Sequence, residues 1–204
     1  MYKVVYDMDD VLNNLNKYVF STLNLPLPEF FEIKSCGYTD EQKEKIISMY
    51  KDPETFRHLR LMPGARSITR VEKIFKDKEG NPLVSVWINT VSLNADIVDV
   101  KKETVRVGIP DFDMSRMIAQ VSDGHKHILE DADYVIEDNI QNIVKYPSKC
   151  KKILIDKTHN QGHAYNIADR EAGITRVMNL KGAIRTVERD IAKREGYNPV
   201  NLIW

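Results

Sequence analysis

The sequence is poor in cysteine, carries no excess of charge of either sign and has no long apolar run. Its two cysteines, Cys36 and Cys150, are too few for a disulfide framework or a zinc cluster, and we expect reduced thiols in a cytoplasmic protein. Lysine plus arginine and aspartate plus glutamate both number 30, so the formal net charge is +0. This balance argues against a broad surface for a nucleic-acid polymer or an anionic membrane, but it allows a local basic pocket for an anion.

A membrane span and a signal peptide are also not expected. No apolar stretch approaches the roughly 18 residues that a spanning helix needs, and Lys3, Asp7, Asp9 and Asp10 interrupt any apolar run near the first residue. There is enough apolar material for a folded core, because 42% of the 204 residues are hydrophobic. This length allows one sizeable domain, or a core domain with a small insertion.

The stretch from Asp7 to Asn13 is an acidic cluster that directly follows a predicted strand. Residues 2–6 are rich in β-branched and aromatic side chains, as in a buried strand, so Asp7 and Asp9 come after its carboxyl end. Ligands of open α/β sheets bind at that edge, and two carboxylates there suit Mg²⁺, which prefers oxygen ligands and phosphates. The alternative is an acidic turn in which an aspartate caps the following helix.

The region after this cluster has helical patterns and no convincing strand. Apolar side chains from Leu15 to Leu23 recur at helical spacing, prolines then break the pattern, and Thr39 with Gln42 forms a capping-box signature for a second helix. We therefore predict two units, a core domain of residues 1–12 and 62–204 and a helical cap inserted at residues 13–61.

The remainder of the chain alternates helices and strands. A helix is predicted between Pro63 and Gly80, and a charged amphipathic helix is predicted at 182–194. Strands are predicted at 83–88, 117–121, 134–136, 152–155 and 175–178. This order of elements predicts an α/β fold with a mostly parallel sheet that helices cover on both faces.

Polar side chains suited to phosphoryl chemistry recur around the ends of these predicted strands. Thr90 and Ser92 follow the second strand and would hydrogen-bond phosphate oxygens, and Lys126 would neutralise a phosphoryl group. Glu137 and Asp138 end the strand near 134 and would complete a Mg²⁺ site. Taken singly, each has a plainer interpretation as a turn hydroxyl, a solvated charge or a helix cap. Their recurrence at successive strand ends favours one shared site.

With these motifs in this order, the sequence resembles the haloacid dehalogenase superfamily of phosphotransferases, and within it the 5′(3′)-deoxyribonucleotidase branch. The first motif of the superfamily is a strand followed by Asp-x-Asp, as in Asp7-Met8-Asp9-Asp10-Val11-Leu12. The resemblance extends over most of residues 1 to 180 and implies a Rossmann-like core with a small helical cap after the first strand. Its other segments are Phe56 through Leu61-Met62-Pro63-Gly64-Ala65, Val86-Trp87-Ile88-Asn89-Thr90, Tyr134-Val135-Ile136-Glu137-Asp138, and Ile153-Leu154-Ile155-Asp156-Lys157-Thr158-His159-Asn160.

The resemblance implies a role for each matching residue. Asp7 would attack phosphorus and form an aspartyl-phosphate, and Asp9 would protonate the leaving nucleoside oxygen and then activate water. Asp7, the backbone carbonyl of Asp9 and Asp138 would hold Mg²⁺ as the cofactor. Thr90 and Lys126 would bind the phosphate, and Lys126 would also offset the negative charge around Asp7.

The resemblance also implies a second lysine and an aromatic base pocket. The second phosphate-binding lysine of the family, in the helix after Thr90, matches Lys101 or Lys102, and we prefer Lys101 because the preceding loop is slightly shorter here. Phe56 falls where the branch has a base-stacking aromatic residue in the cap, and Phe31 would act in the same way. For both phenylalanines, ordinary core packing is the alternative.

Three positions depart from the family pattern. Asp10 replaces a glycine and adds charge near the expected metal. Glu137 replaces the first member of an Asp-Asp pair, and we expect it to support the metal site without binding the ion. In the family a threonine and a serine are adjacent at this point, whereas here Val91 separates Thr90 from Ser92. None of these changes removes a residue that the chemistry requires.

The predicted function is a Mg²⁺-dependent phosphomonoesterase that hydrolyses (deoxy)ribonucleoside monophosphates through an aspartyl-phosphate, and the family implies a part in deoxyribonucleotide catabolism. A small-molecule substrate leaves no role for a nucleic-acid polymer or a membrane. Two alternatives stay open: a phosphatase of the same superfamily for another small phosphate ester, and a non-catalytic nucleotide-binding module. The sequence also leaves open the base, the choice between 5′ and 3′ and between deoxy and ribo substrates, and the formation of a homodimer.

Overall fold

The structure is a computed structural model that describes residues 1–122, 126–161 and 173–197. In these residues six strands form one sheet in the order β3-β2-β1-β4-β5-β6, and every neighbouring pair is parallel. The first strand is therefore an inner strand, with β2 on one side and β4 on the other. The strands are β1 (Tyr2–Tyr6), β2 (Val84–Ser92), β3 (Met117–Val121), β4 (Tyr134–Glu137), β5 (Lys151–Ile155) and β6 (Ile174–Val177).

Helices pack on both faces of this sheet, which confirms the predicted α/β fold. Among the residues that the structure describes, no helix combines the length and apolar character needed to cross a membrane. The helices are α1 (Leu15–Thr22), α2 (Asp40–Lys51), α3 (Pro53–Arg57), α4 (Arg70–Ile74), α5 (Ala95–Gly108), α6 (Ile140–Ile143) and α7 (Leu180–Arg194). Short 3₁₀ turns occur at Ile33–Ser35, Ala65–Thr69, Met114–Arg116 and Thr158–Asn160.

The sheet separates two apolar layers of the core. Side chains alternate along β1, so Val4 and Tyr6 join the layer that α7 covers, whereas Val5 joins the layer that contains Ile143 of α6. The buried side chains of α7 recur at helical spacing, as the sequence predicts. They include Leu180, Ala183, Ile184, Val187 and Ile191.

Strand β2 is longer than the sequence pattern indicates. The prediction ended it at residue 88 because Asn89, Thr90 and Ser92 are polar, but all three lie in the strand and are buried. The reason is the parallel pairing with β3, which runs from Ile88 opposite Met117 to Ser92 opposite Val121. Thr90 and Ser92 therefore lie within the last part of a strand rather than in a loop after it.

The helix predicted after Pro63 is shorter than expected. A 3₁₀ turn precedes α4, and the helix ends at Ile74 because Phe75 is extended and the chain then turns back, with Lys76 bridging to Pro82. Gly80 lies in this turn at a φ of 88°, which favours glycine. The helix therefore stops well before the glycine that was expected to end it.

The last helix begins at Leu180, slightly earlier than the predicted residue 182. The reason is its cap, because the side chain of Asn179 accepts a hydrogen bond from the backbone N–H of Gly182 at 2.9 Å.

Helices α1 to α3 share an apolar cluster with α5, which includes Val19, Phe20, Ile46 and Ile97 of α5. The capping box predicted for α2 is confirmed: Thr39 accepts the N–H of Gln42 at 3.2 Å and donates its own N–H to the Gln42 side chain at 2.9 Å. The division into a core domain and a cap at 13–61 stays a prediction. Parts of that core domain, residues 123–125, 162–172 and 198–204, lie outside the described residues.

The two ends of the segment that contains these helices lie next to each other. Asn13 forms an antiparallel bridge with Leu61, and the N–H of Met62 donates to the carbonyl of Leu12 at 2.7 Å. Because of this closure, the helical segment is held over the carboxyl end of β1, where the acidic cluster lies.

Candidate functional site

The acidic and hydroxyl side chains singled out in the sequence meet at one edge of the sheet. Strands β2, β1 and β4 are neighbours and parallel, so their carboxyl ends lie side by side, and the chain reverses its progress across the sheet between β1 and β4. A cavity of about 330 Å³ opens at this edge. The residues lining it include every predicted site residue: Asp7, Asp9, Thr90, Lys101, Lys126, Asp138, Phe31 and Phe56.

The loop after β1 is held by side-chain contacts with its own backbone. Asn13 accepts the N–H groups of Asp10 and Leu15 at 3.1 Å each, and its amide group donates to Asp9 Oδ1 at 3.0 Å. Asp10 has a φ of 56°, a conformation that aspartate tolerates better than most residues, and its carboxylate accepts the N–H of Asn16 at 3.2 and 3.3 Å. The aspartate that holds the start of α1 is therefore Asp10, and Asp7, Asp9 and Asp10 all line the cavity.

Lys126 joins the two acidic segments. Its ammonium nitrogen lies 2.6 Å from Asp7 Oδ1 and 2.5 Å from Glu137 Oε1, and the side chain is 4% exposed. The other oxygen of Glu137 accepts the backbone N–H groups of Asp138 and Asn139 at 3.2 Å each. Both oxygens of Glu137 therefore have partners within the protein, and its expected role of supporting the metal site without binding the ion stays a prediction.

Burial and charge act against each other in this cluster. Burial raises the pKa of Asp7 to about 7, because Lys126 only partly offsets the lost hydration and the repulsion from Glu137 and Asp9. Burial alone would lower the pKa of Lys126, but the attraction of Asp7 and Glu137 raises it, so this lysine stays an ammonium. Burial likewise raises the pKa of Asp138, which His159 partly opposes.

The carboxylates fit a hard divalent cation. Asp7, Glu137 and Asp138 each offer an oxygen, and these oxygens lie within 4.8 Å of one another. The predicted metal ligands were Asp7, the backbone carbonyl of Asp9 and Asp138, so two predicted side chains lie in this group together with Glu137. Closely spaced buried carboxylates repel each other, and a cation with oxygen ligands would relieve this repulsion.

Lys101 reaches the cavity from α5. Its ammonium nitrogen lies 2.5 Å from Asp9 Oδ2, 3.0 Å from Thr90 Oγ1 and 2.8 Å from the carbonyl oxygen of Val91. The residue is 1% exposed, whereas Lys102 is half-buried and does not line the cavity. Of the two lysines that the sequence left open, Lys101 is therefore the one at the site.

The two predicted base-pocket phenylalanines lie on the cavity wall in different environments. Phe56 is 5% exposed, belongs to the apolar cluster of α1 to α3, and has its ring centroid 5.2 Å from Lys101 Nζ. Phe31 is 45% exposed, and its ring and that of His159 form a T-shaped pair at a centroid distance of 5.8 Å. Core packing thus explains why Phe56 is buried, but it does not explain the position of the exposed Phe31. A base-binding role stays a prediction for both.

The site also contains residues to which the sequence analysis assigned no role. His159 Nε2 lies 2.9 Å from Asp138 Oδ2, and the side chain of Asn160 donates to the carbonyls of Asp138 at 2.7 Å and Ile155 at 2.9 Å. Both follow β5 in a segment that carries the family resemblance. The sequence feature that could have identified them is the run of polar residues from Asp156 to Asn160, which follows the end of β5.

Comparison with known proteins shows the fold. No protein-family model and no curated protein matches the chain. The chain is similar to the solved structure of a hydrolase from Pseudomonas syringae, with a TM-score of 0.50 and 16% identity over 92% of this chain and 98% of that chain. It is also similar to a haloacid dehalogenase-like family hydrolase from Streptococcus pneumoniae, with a TM-score of 0.52 and 14% identity over 89% of this chain and 96% of that chain. The chain therefore has the Rossmann-like fold seen in haloacid dehalogenase-like hydrolases.

Proposed function

We propose that this protein is a Mg²⁺-dependent phosphatase of the haloacid dehalogenase superfamily that hydrolyses (deoxy)ribonucleoside monophosphates to nucleoside and phosphate, as the 5′(3′)-deoxyribonucleotidase branch does. The observation that carries the proposal is the convergence of Asp7, Asp9, Asp138, Lys101 and Lys126 on one cavity. Both structural neighbours described above are hydrolases, which supports the same reaction class.

The metal would be held mainly by the carboxylates of Asp7 and Asp138, with Glu137 behind them. When bound, Mg²⁺ would offset the charge of the phosphate oxygens and help to orient the phosphoryl group. Lys126, which contacts Asp7 and Glu137, contributes a fixed positive charge to the same region.

In the first step, a carboxylate oxygen of Asp7 attacks phosphorus and forms the aspartyl-phosphate while the bond from phosphorus to the nucleoside oxygen breaks. Asp9, in its protonated form, gives its proton to that leaving oxygen, so the product is the neutral alcohol of the nucleoside. In the structure Asn13 and Lys101 each donate to one oxygen of Asp9, at 3.0 and 2.5 Å, an arrangement that suits the carboxylate form of Asp9, which acts as the base in the second step.

In the second step, Asp9 takes a proton from water, and the water oxygen attacks phosphorus. The bond between phosphorus and Asp7 breaks, which releases phosphate, restores the Asp7 carboxylate and leaves Asp9 protonated for the next cycle.

Hydroxyl and ammonium groups would bind the phosphate from the β2 side of the cavity. Thr90 and Lys101 are already in contact at 3.0 Å, and both line the cavity. Ser92 also lines it, and its buried hydroxyl has no hydrogen-bond partner in the part of the chain that the structure describes. Although Val91 separates the two hydroxyl residues, they lie on the same face of the strand, because side chains alternate.

The cap side of the cavity supports a nucleoside as the leaving group. Phe31, Phe56 and Tyr50 supply aromatic surface, and facing them Asn142 of α6 supplies an amide group that would hydrogen-bond a base or sugar. The cavity volume lies near the lower end of the roughly 300–1,000 Å³ typical of ligand pockets. This size suits a monophosphate better than a polymer.

The direct test is phosphate release from a panel of monophosphates with and without Mg²⁺. The panel contains 5′ and 3′ monophosphates of deoxyribonucleosides and ribonucleosides, together with ribose 5-phosphate. We expect Mg²⁺-dependent release, with higher kcat/KM for the nucleotides than for ribose 5-phosphate. Higher kcat/KM for the base-free ester would favour another small substrate. Thermal stabilisation by nucleotides without any release would favour a binding module.

A variant tests the nucleophile. We expect Asp7→Asn to lower kcat by at least about 10³-fold, because the amide cannot form the aspartyl-phosphate. The melting temperature reports whether the variant is folded. The control is Asp131→Asn, an exposed residue paired with Lys3. Activity near the native level in folded Asp7→Asn would exclude Asp7 as the nucleophile.

A further inference from the structure

A chain of side-chain hydrogen bonds leads from helix α2 to the carboxylate of Asp138. The hydroxyl of Tyr50 donates to Asn16 Oδ1, and Asn16 Nδ2 lies 3.4 Å from Nδ1 of His159. Nε2 of the same ring lies 2.9 Å from Asp138 Oδ2. His159 is 3% exposed and Asp138 is 4% exposed, so water competes little with the last contact. This series of hydrogen bonds therefore connects the cap side of the cavity to the acidic residues at the end of the sheet.

The hydrogen bonds of this series all run in the same direction, from Tyr50 toward Asp138. Because the carbonyl oxygen of the Asn16 amide accepts from Tyr50, its NH₂ group faces Nδ1 of His159 and donates to it. Nδ1 must then present a lone pair, which places the ring proton on Nε2, and Nε2–H donates to the carboxylate of Asp138. Each group in the series donates toward the carboxylate, which carries the negative charge.

We propose that His159 is a positioning residue: it donates from Nε2–H to one oxygen of Asp138 and leaves the other oxygen for Mg²⁺, while Tyr50 and Asn16 select this tautomer from the cap side. The inference deepens the proposed function and depends on its metal site. Partners of metal-binding carboxylates orient the ligand, and their removal commonly lowers metal affinity about 10- to 100-fold. A neighbouring contact supports the same role, since the Asn160 side chain holds the backbone carbonyl of Asp138 at 2.7 Å.

Two substitutions separate hydrogen-bond donation from space filling. His159→Leu keeps apolar bulk but removes the donor, whereas the amide NH₂ of His159→Gln reaches about as far as Nε2 and can still donate to Asp138. The matched control is His58→Gln, because His58 is exposed and its ring contacts the backbone carbonyl of Glu54 and the ring of Tyr18.

The Mg²⁺ dissociation constant of each protein, measured by titration calorimetry without substrate, tests the role. We expect His159→Leu to raise the dissociation constant about 10- to 100-fold, and His159→Gln and His58→Gln to stay within about threefold of the native value. Equal affinity in His159→Leu and the native protein, or an equal loss in the Leu and Gln variants, would overturn the inference.

The tautomer is tested on the native protein by ¹⁵N-NMR of labelled histidine at about pH 8, above the ordinary histidine pKa. We expect the His159 ring, assigned by its loss in His159→Gln, to carry its proton on Nε2. In Tyr50→Phe we expect a mixture of tautomers, because the Asn16 amide is no longer held in one orientation. A proton on Nδ1 of the native ring would overturn the inference.

These measurements separate the inference from the proposed function. Absence of Mg²⁺ binding by the native protein would overturn both. If Mg²⁺ binds and the variants behave as expected, but no monophosphate is hydrolysed, the positioning role stands and the proposed reaction fails. If monophosphates are hydrolysed and His159→Leu binds Mg²⁺ normally, only the positioning role fails.

Discussion

The ammonium nitrogen of Lys101 lies 2.5 Å from Oδ2 of Asp9, and the lysine is 1% exposed. The same nitrogen contacts Thr90 Oγ1 at 3.0 Å, next to the position proposed for the phosphate. Lys101 therefore connects the proposed acid–base residue with the proposed phosphate site. A phosphate dianion bound beside Thr90 would share this ammonium with Asp9, so we expect Lys101 to contribute both to binding and to turnover.

We predict that Lys101→Met lowers kcat/KM for nucleoside monophosphates by about 10²- to 10³-fold, because one charged donor to the phosphate is lost. Inhibition by inorganic phosphate should weaken in the same variant. Steady-state kinetics measure both effects. Lys102→Met is the matched control, since Lys102 is the next residue of α5 and does not line the cavity. Equal kinetics in the two variants would remove Lys101 from the phosphate site.

We predict that Mg²⁺ raises the melting temperature of the protein in the absence of substrate, because it offsets the repulsion among Asp7, Glu137 and Asp138. At saturating Mg²⁺ the increase should be roughly 5–10 °C, and a chelator should reverse it. Asp138→Asn should abolish most of the increase, whereas Asp99→Asn, an exposed position on α5, should preserve it. A thermal shift that is the same in both variants would contradict a metal site at Asp138.

The sequence predicted much of the fold because the strand cores are short, strongly apolar runs. The expected strands at 117–121, 134–136 and 152–155 match β3, β4 and β5 closely. The end of β2 was missed because Thr90 and Ser92 are polar, and their place in the sheet depends on pairing with β3, which is remote in sequence. Local patterns report local preference, whereas strand ends are decided by the neighbouring strand.

The site was predictable where the fold itself determines position. Parallel strands bring Asp7, Thr90 and Asp138 to one edge, so the order of motifs was sufficient. The contact of His159 with Asn16 was not predictable, because it joins side chains 143 positions apart through packing that spacing does not encode. The sequence favoured Lys101 over the adjacent Lys102 only slightly, because it does not show which side of α5 faces the cavity. The structure shows that this side carries Lys101.

We predict that Phe31→Ala raises KM for nucleoside monophosphates about 5- to 150-fold, because stacking of a base on an aromatic ring contributes roughly 1–3 kcal/mol. KM for ribose 5-phosphate should change little, since this ester has no base. The substitution should preserve stability, because the side chain is 45% exposed. Phe30→Ala is the matched control, being 42% exposed and outside the cavity wall. An equal rise in KM for both substrates would argue against base stacking by Phe31.

The last prediction concerns Glu188, a carboxyl group away from the proposed site. It lies on α7 and is 0% exposed, and neither oxygen has a hydrogen-bond partner among the described residues. Arg70 Nε forms an ion-pair contact with Glu188, 3.9 Å from Oε1. Burial raises the pKa of Glu188 to about 7, although Arg70 and Arg185 act in the opposite direction.

This raised pKa gives a definite sign to the pH dependence of stability. Below about pH 4.5 the group is protonated in both the folded and the unfolded chain, and its full contribution is present. Between about pH 4.5 and pH 7 the folded chain binds the proton more strongly, so the free energy of unfolding falls as pH rises, and above pH 7 the loss is complete. The loss attributable to this group is at most roughly 3–4 kcal/mol.

We therefore predict that Glu188→Gln removes this part of the pH dependence. Urea unfolding from about pH 5 to about pH 8 gives the free energy of unfolding of the native protein and of the variant at each pH. The contributions of the other titrating groups largely cancel in the difference between the two proteins. The native protein should lose stability relative to the variant as pH rises through this range. Glu103→Gln, at an exposed position on α5, should show a constant difference from the native protein. Parallel pH profiles for the native protein and Glu188→Gln would mean that Glu188 ionises in the folded protein as it does in the unfolded chain.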